Sequence, residues 1–238
     1  MDNHFEVALS QDKFAYISKL NDLLSLINDT KYSIYGSFLS SALFKRQFYN
    51  TFDLLVEDET SFFEIASELC IIDRKKGTMA INSIGADTPE FKIKIYDSVS
   101  KNSGLRNYIL ENTSLETVVL TNSAGQLDKI EIKIPRRGAV LIHDLIELDD
   151  SDDQNKVIAV EKIIWSLSQI GVATLLRDVR YMPNDLITQA ADKIDKIMVV
   201  HANKTASLLK QHGSAMFKTI TASELKKFGK PYSILLKA

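Results

Sequence analysis

A chain of 238 residues with 45% hydrophobic and 25% charged residues has the composition of a globular protein and the length of one large domain or two small ones. That excludes a disordered tail, a collagen-like fibre and a disulfide scaffold, since Cys70 is the one cysteine. The formal charge is -2, from 29 Lys+Arg against 31 Asp+Glu, so bulk charge marks neither a general nucleic-acid binder nor an acidic solvating protein.

Taken in chain order, Phe14, Ile17, Leu20, Leu24 and Ile27 recur at helical spacing behind Ser10, which predicts an amphipathic helix over 11–28. Lys31 to Tyr35 reads as a short strand, and after Gly36-Ser37 helical character returns over Phe38 to Arg46. Thr51 to Glu57 is β-rich, Thr60 to Leu69 helical, and Cys70 to Asp73 a further strand before a basic turn at Arg74, Lys75 and Lys76 that closes on Gly77. Cys70 sits in an apolar run with Leu69, Ile71 and Ile72, the setting of a buried structural thiol. Phe91 to Asp97 alternates apolar and polar residues as a half-buried strand does. Glu116 to Thr121 and Lys129 to Ile134 flank the turn-rich Asn122 to Gln126, which predicts a hairpin.

After Pro135 strand patterns nearly vanish, and helices are predicted over 138–148, 155–170, 172–181, 184–200, 202–212 and 222–228. This divides the chain into a mixed α/β domain over 1–135 and a helical domain over 136–238. The acidic run Asp149 to Asp153 reads as a solvated loop that places negative charge at the start of the next helix. Residues 183–238 hold nine lysines against four acids, a local +5 that leaves -7 for residues 1–182. The bland reading of this basic end is a solvated helix face; the functional one is contact with phosphates. No stretch approaches the roughly 20 apolar residues that span a bilayer, and the first ten residues carry no basic leader, so a cytoplasmic protein without membrane contact is the expectation.

Chemistry concentrates between Tyr32 and Val56: a strand, Gly36-Ser37, a short helix, then a strand bearing Asp53. This arrangement resembles the signature of the nucleotidyltransferase superfamily, the polymerase β-like fold, in which a Gly-Gly or Gly-Ser turn precedes a strand with two carboxylates on alternate residues. A second stretch, Ile134-Pro-Arg-Arg-Gly-Ala-Val-Leu-Ile-His-Asp-Leu, is similar to a strand–Pro–helix segment of a bacterial subgroup related to the abortive-infection nucleotidyltransferase toxins. There His143-Asp144-Leu145 stands where that subgroup carries a His-Lys-Leu-like core. The resemblance implies an α+β protein: a nucleotidyltransferase-like mixed sheet with flanking helices, followed by a C-terminal helical bundle. It also implies that Gly36 and Ser37 bind a triphosphate at a helix start. Asp53 would be the second metal-binding acid, with Thr51 in the place of the first, because alternate strand positions share a face.

The third acid of the family comes from a later strand, whose counterpart here is Phe91 to Asp97. Its polar positions are Lys92 and Lys94, with Asp97 on the opposite parity, so two of the three carboxylates are replaced. A lone carboxylate holds Mg²⁺ poorly. Three functions follow. The first is NTP-dependent transfer of a nucleotide to an RNA, protein or small-molecule acceptor, impaired by those replacements, with Asp53 on Mg²⁺ and Arg46, Lys92 and Lys94 neutralising phosphate charge. The second is a catalytically inactive module that binds a nucleotide or RNA and uses Lys92 and Lys94 as fixed cations in place of metal. The third is a protein-interaction partner that uses the helical end.

Plainer readings stand beside these. Gly36-Ser37 is also an ordinary strand-to-helix turn, Asp53 an ordinary strand acid and His143 a packed helix histidine. His201 and His212 lie eleven apart without partners at ligand spacing, which argues against zinc. Trp165, among Ile163, Ile164 and Leu167, reads as core.

Overall fold

In a computed structural model of the chain, the backbone is described at residues 5–9, 14, 24, 31–35, 39, 43–44, 52–57, 60–61, 63, 73–75, 78–81, 93–97, 103–148 and 153–237. Side chains are described continuously over 104–148 and 156–237, and at 8, 14, 24, 31–34, 39, 43–44, 54–57, 60–61 and 63. The chain divides into two units, Met1–Arg136 and Arg137–Ala238.

The first unit contains β1 (Phe5–Leu9), β2 (Tyr32–Tyr35), β3 (Phe52–Val56), β4 (Asp73–Lys75), β5 (Thr78–Ile81), β6 (Ile93–Asp97), α1 (Ser103–Glu111), β7 (Thr113–Asn122) and β8 (Leu127–Pro135). Phe14, Leu24, Leu39, Leu43, Phe44, Thr60, Ser61 and Phe63 are helical, each within a stretch read as helix from periodicity. One sheet has the order β1-β7-β8, the other β2-β3-β6-β5-β4. In β7 and β8 burial follows the pleat. Val118, Leu120 and Asn122 are buried on one strand, Ile130, Ile132 and Ile134 on the other. Their hairpin is set by Asn122, whose Oδ1 accepts the backbone N–H groups of Ala124 and Gln126 at 3.0 Å each.

Four elements of the first unit differ from the sequence reading. Arg74 and Lys75 form strand β4, not a turn; the β4–β5 hairpin pairs Lys75 with Thr78. Strands β1 and β5 and helix α1 have no counterpart in that reading. Phe5, Val7 and Leu9 alternate over too few residues to stand out, and β1 is completed by parallel pairing with β7, more than a hundred positions away. Cys70 lies outside the described residues.

The second unit is helical in all its described regular structure: α2 (Arg137–Ile146), α3 (Asp153–Ile170), α4 (Val172–Asp178), α5 (Asn184–Ile194), a π-helical turn over Asp195–Val200, α6 (Ala202–His212) and α7 (Ala222–Lys237). At Gly171, whose φ of 69° favours glycine, α3 gives way to α4 through a bend of 97°. Among the described residues no single helix is long and apolar enough to cross a membrane. Trp165 is only half-buried, whereas Ile163, Ile164 and Leu167 are core.

Helix α7 runs well beyond Phe228, through Pro231 to Lys237. An interior proline costs about 3 kcal/mol in an isolated helix. Here tertiary contacts offset it: the Tyr232 hydroxyl donates to the Leu167 carbonyl at 2.7 Å, and Ser233 Oγ to Asp195 Oδ1 at 3.2 Å. At its start Thr221 and Glu224 form a capping box, with Glu224 Oε2 accepting the Thr221 N–H at 2.8 Å and Thr221 Oγ1 accepting the Glu224 N–H at 3.2 Å.

Candidate functional site

Strand β3 is deeply enclosed in the five-stranded sheet: Leu54, Leu55 and Val56 are buried, so both faces are covered. Its neighbour β2 is buried likewise at Tyr32, Ser33 and Ile34. Lys133 Nζ of β8 lies 5.0 Å from the centre of the Tyr32 ring, and burial pushes the Tyr32 phenol above its ordinary pKa. Such a frame fixes backbone positions at the strand ends, where loops can carry chemistry.

At the start of β3 the register is informative. Antiparallel β2 pairs Tyr35 with Asp53, and parallel β6 pairs Asp53 with Lys94. The same row continues through Ala80 of β5 and Asp73 of β4. Asp97 pairs with Val56, at the far end of the two strands and on the opposite parity. Since β6 keeps an unbroken register over Ile93–Asp97, the residue across from Asp53 is a lysine and not a carboxylate. Gly36 and Ser37 follow Tyr35 directly in sequence. They, with Arg46, Thr51 and Lys92, lie outside the described residues, while Asp53 and Lys94 are located by strand register alone.

The polar residues of the His143-Asp144-Leu145 segment come into view on α2. Asp144 Oδ1 accepts Lys162 Nζ from α3 at 2.7 Å, with the two side chains only 13% and 14% exposed, and His143 Nδ1 lies 4.0 Å from the same oxygen. Burial alone would raise the Asp144 pKa; the Lys162 ammonium and then His143 outweigh it and hold the carboxyl below the ordinary aspartate range. Lys162 was missed by sequence reasoning, because an 18-residue separation leaves no local pattern. Leu145 is core. Nearby, α2 begins with the Gly138 N–H donating to Asp178 Oδ2 at 3.1 Å, an acid supplied to a helix N-terminus from α4.

Among the described residues no group of three or more His, Cys, Asp or Glu gathers as a set of metal ligands. Asp53 with a lysine at the paired position does not match the donor set of a two-metal centre, which needs several carboxylates around each pair of ions.

No protein-family model matches the chain, and no curated protein matches it. Among solved structures it is similar to the crystal structure of an antigenic nucleotidyltransferase-like protein from Paracoccidioides brasiliensis. The TM-score is 0.51 and the identity 15%, over 85% of this chain and 94% of that one. At that identity the likeness speaks for the fold: the chain is an α+β protein with a nucleotidyltransferase-like fold.

Proposed function

We propose that this chain binds a nucleoside triphosphate at the Gly36-Ser37 end of β2 and that its capacity to transfer the nucleotide to an acceptor is impaired. The observation that carries this reading is the β3–β6 register, which sets Lys94 across from Asp53. A triphosphate brings several negative charges. Where carboxylates would hold Mg²⁺ to neutralise them, a fixed ammonium does part of the same electrostatic work without metal. Gly36 allows close approach of backbone to phosphate, and the amides after it are the natural anion site at a helix start. Arg46 and Lys92 add cations in the same stretch of sequence. Thr51 supplies a hydroxyl in place of the first carboxylate, so an activated two-metal geometry is not assembled.

The test is calorimetry of ATP binding in EDTA and in Mg²⁺, with incubation of the protein with labelled NTPs. Binding in EDTA that is lost in Lys94→Gln, with little or no label transferred, is the expected result. Strictly Mg²⁺-dependent binding, or efficient transfer, overturns the proposal.

A further inference from the structure

The second unit contains a cleft of about 210 Å³ lined by Lys156 of α3, by Lys196 and Ile197 of the π-helical turn, by His201 and by Lys204, Thr205 and Leu208 of α6. Its described lining holds four basic side chains and no carboxylate. It lies within the helical unit and owes nothing to the residues of β2, β3 and β6.

The π-helical turn shapes this cleft. The His201 N–H donates to the Lys196 carbonyl at 2.9 Å, five residues back instead of four. In an unbroken α-helix the residue stacked one turn above Lys196 would be Val200. The wide turn inserts one residue, so that His201 takes that place in the lining and Val200 is left 65% exposed. Lys204 follows three residues after His201 and Leu208 four after that, which continues one stripe along α6. Thr205 stabilises the bulge, its hydroxyl donating to the Ile197 carbonyl at 2.7 Å. The arrangement leaves an apolar side chain in water and brings His201 to the lysines that line one cleft. Sites that break local rules in this way are where function is expected.

We propose that this cleft is a binding site for a phosphate monoester. The lysines and the imidazole supply convergent donors to a dianionic phosphate, and Ile197 and Leu208 give an apolar wall for the carbon group that carries it. The charge-assisted hydrogen bonds made by the phosphate are what fixes the class of ligand; the carrier is a free nucleotide or the 5′ end of an RNA.

The ring protons of His201, assigned as the signals lost in His201→Gln, report on the cleft itself in the full-length chain. Titration with AMP and with a short 5′-phosphorylated oligoribonucleotide is expected to shift them saturably, and the tighter of the two identifies the carrier. Lys204→Gln and Lys196→Gln should each weaken binding about tenfold, with melting temperatures checked for each. Lys218→Gln, on a lysine outside the lining, should leave it unchanged, and so should Lys94→Gln, which removes the proposed triphosphate site and so separates the two. Absence of a saturable shift, equal binding of the 5′-hydroxyl oligonucleotide, or equal weakening by Lys218→Gln overturns the proposal.

Discussion

The Asp144–Lys162 pair joins α2 to α3 with two nearly buried charges, and its value is easiest to see by removing one of them. Lys162→Met leaves a buried carboxylate uncompensated, a change that costs about 3–5 kcal/mol. Urea unfolding should register this loss, and the double variant Asp144→Leu/Lys162→Met should recover a large part of it, because no charge is then stranded. The pH dependence has a definite sign. The folded-state pKa of Asp144 is depressed from 3.8, so the stabilisation is present above the unfolded-state pKa and is lost as pH falls through the folded value. Below about pH 4, the unfolded aspartate pKa, the gap between wild type and Lys162→Met should narrow.

At the strand site, Thr51→Asp with Lys94→Asp restores the carboxylate pattern around Asp53. The expected outcome is that ATP binding becomes Mg²⁺-dependent, measured by calorimetry with and without EDTA. In the sequence the alternation of Phe91 to Asp97 marks Lys92 and Lys94 together as polar positions of one strand face, and it takes the register with β3 to set Lys94 across from Asp53. The Asp144–Lys162 pair and the Lys196–His201–Lys204 cleft were not legible. The first joins two helices, and the second depends on a π-helical turn that shifts the phase of the stripe by one residue.

Among the elements, the most readable are those whose burial follows a regular period. Strands β7 and β8 were recognised from alternation and α6 from its boundaries, since each buries one face over many residues. Strands β4 and β5 were not, because Asp73-Arg-Lys75 carries no apolar alternation and takes strand form through pairing with its neighbours. Helix α7 was read too short for the opposite reason: Gly229 and Pro231 are strong local stop signals that packing overrides. Gly229 is there for close approach. A Cβ at this position would stand 2.5 Å from Met198 Cβ in the π-helical turn, and Met198 is fully buried. At an exposed helix site Gly→Ala gains about 1 kcal/mol of helix propensity; here overpacking costs about 1–3 kcal/mol, and the strained atom is a Cβ that cannot swing away. Gly229→Ala should therefore lower the melting temperature, whereas a gain in stability would show that α7 can move off Met198 without loss.

Across the whole molecule, charge follows the unit boundary less simply than the division at residue 182 suggests. Residues 1–136 hold 15 cations against 19 acids, a net -4, and residues 137–238 hold 14 against 12, a net +2. The acidic run Asp149–Asp153 belongs to the helical unit, and its four acids offset part of the charge of the lysines that follow, so the basic character is local to particular helix faces. Each unit also has its own core: Leu54, Val118, Leu120, Ile130 and Ile132 in the first, Leu141, Leu167, Ala190, Ile194 and Met198 in the second. Units with separate cores open as separate cooperative blocks, and a lesion inside one is felt chiefly there. Gly229→Ala supplies that lesion. Hydrogen–deuterium exchange of the full chain should then show lost protection in α7, the π-helical turn and α5, with the amides of β7 and β8 unchanged. A uniform loss of protection across both units would show instead that the chain opens as one block, with the sheets drawing part of their stability from the helices.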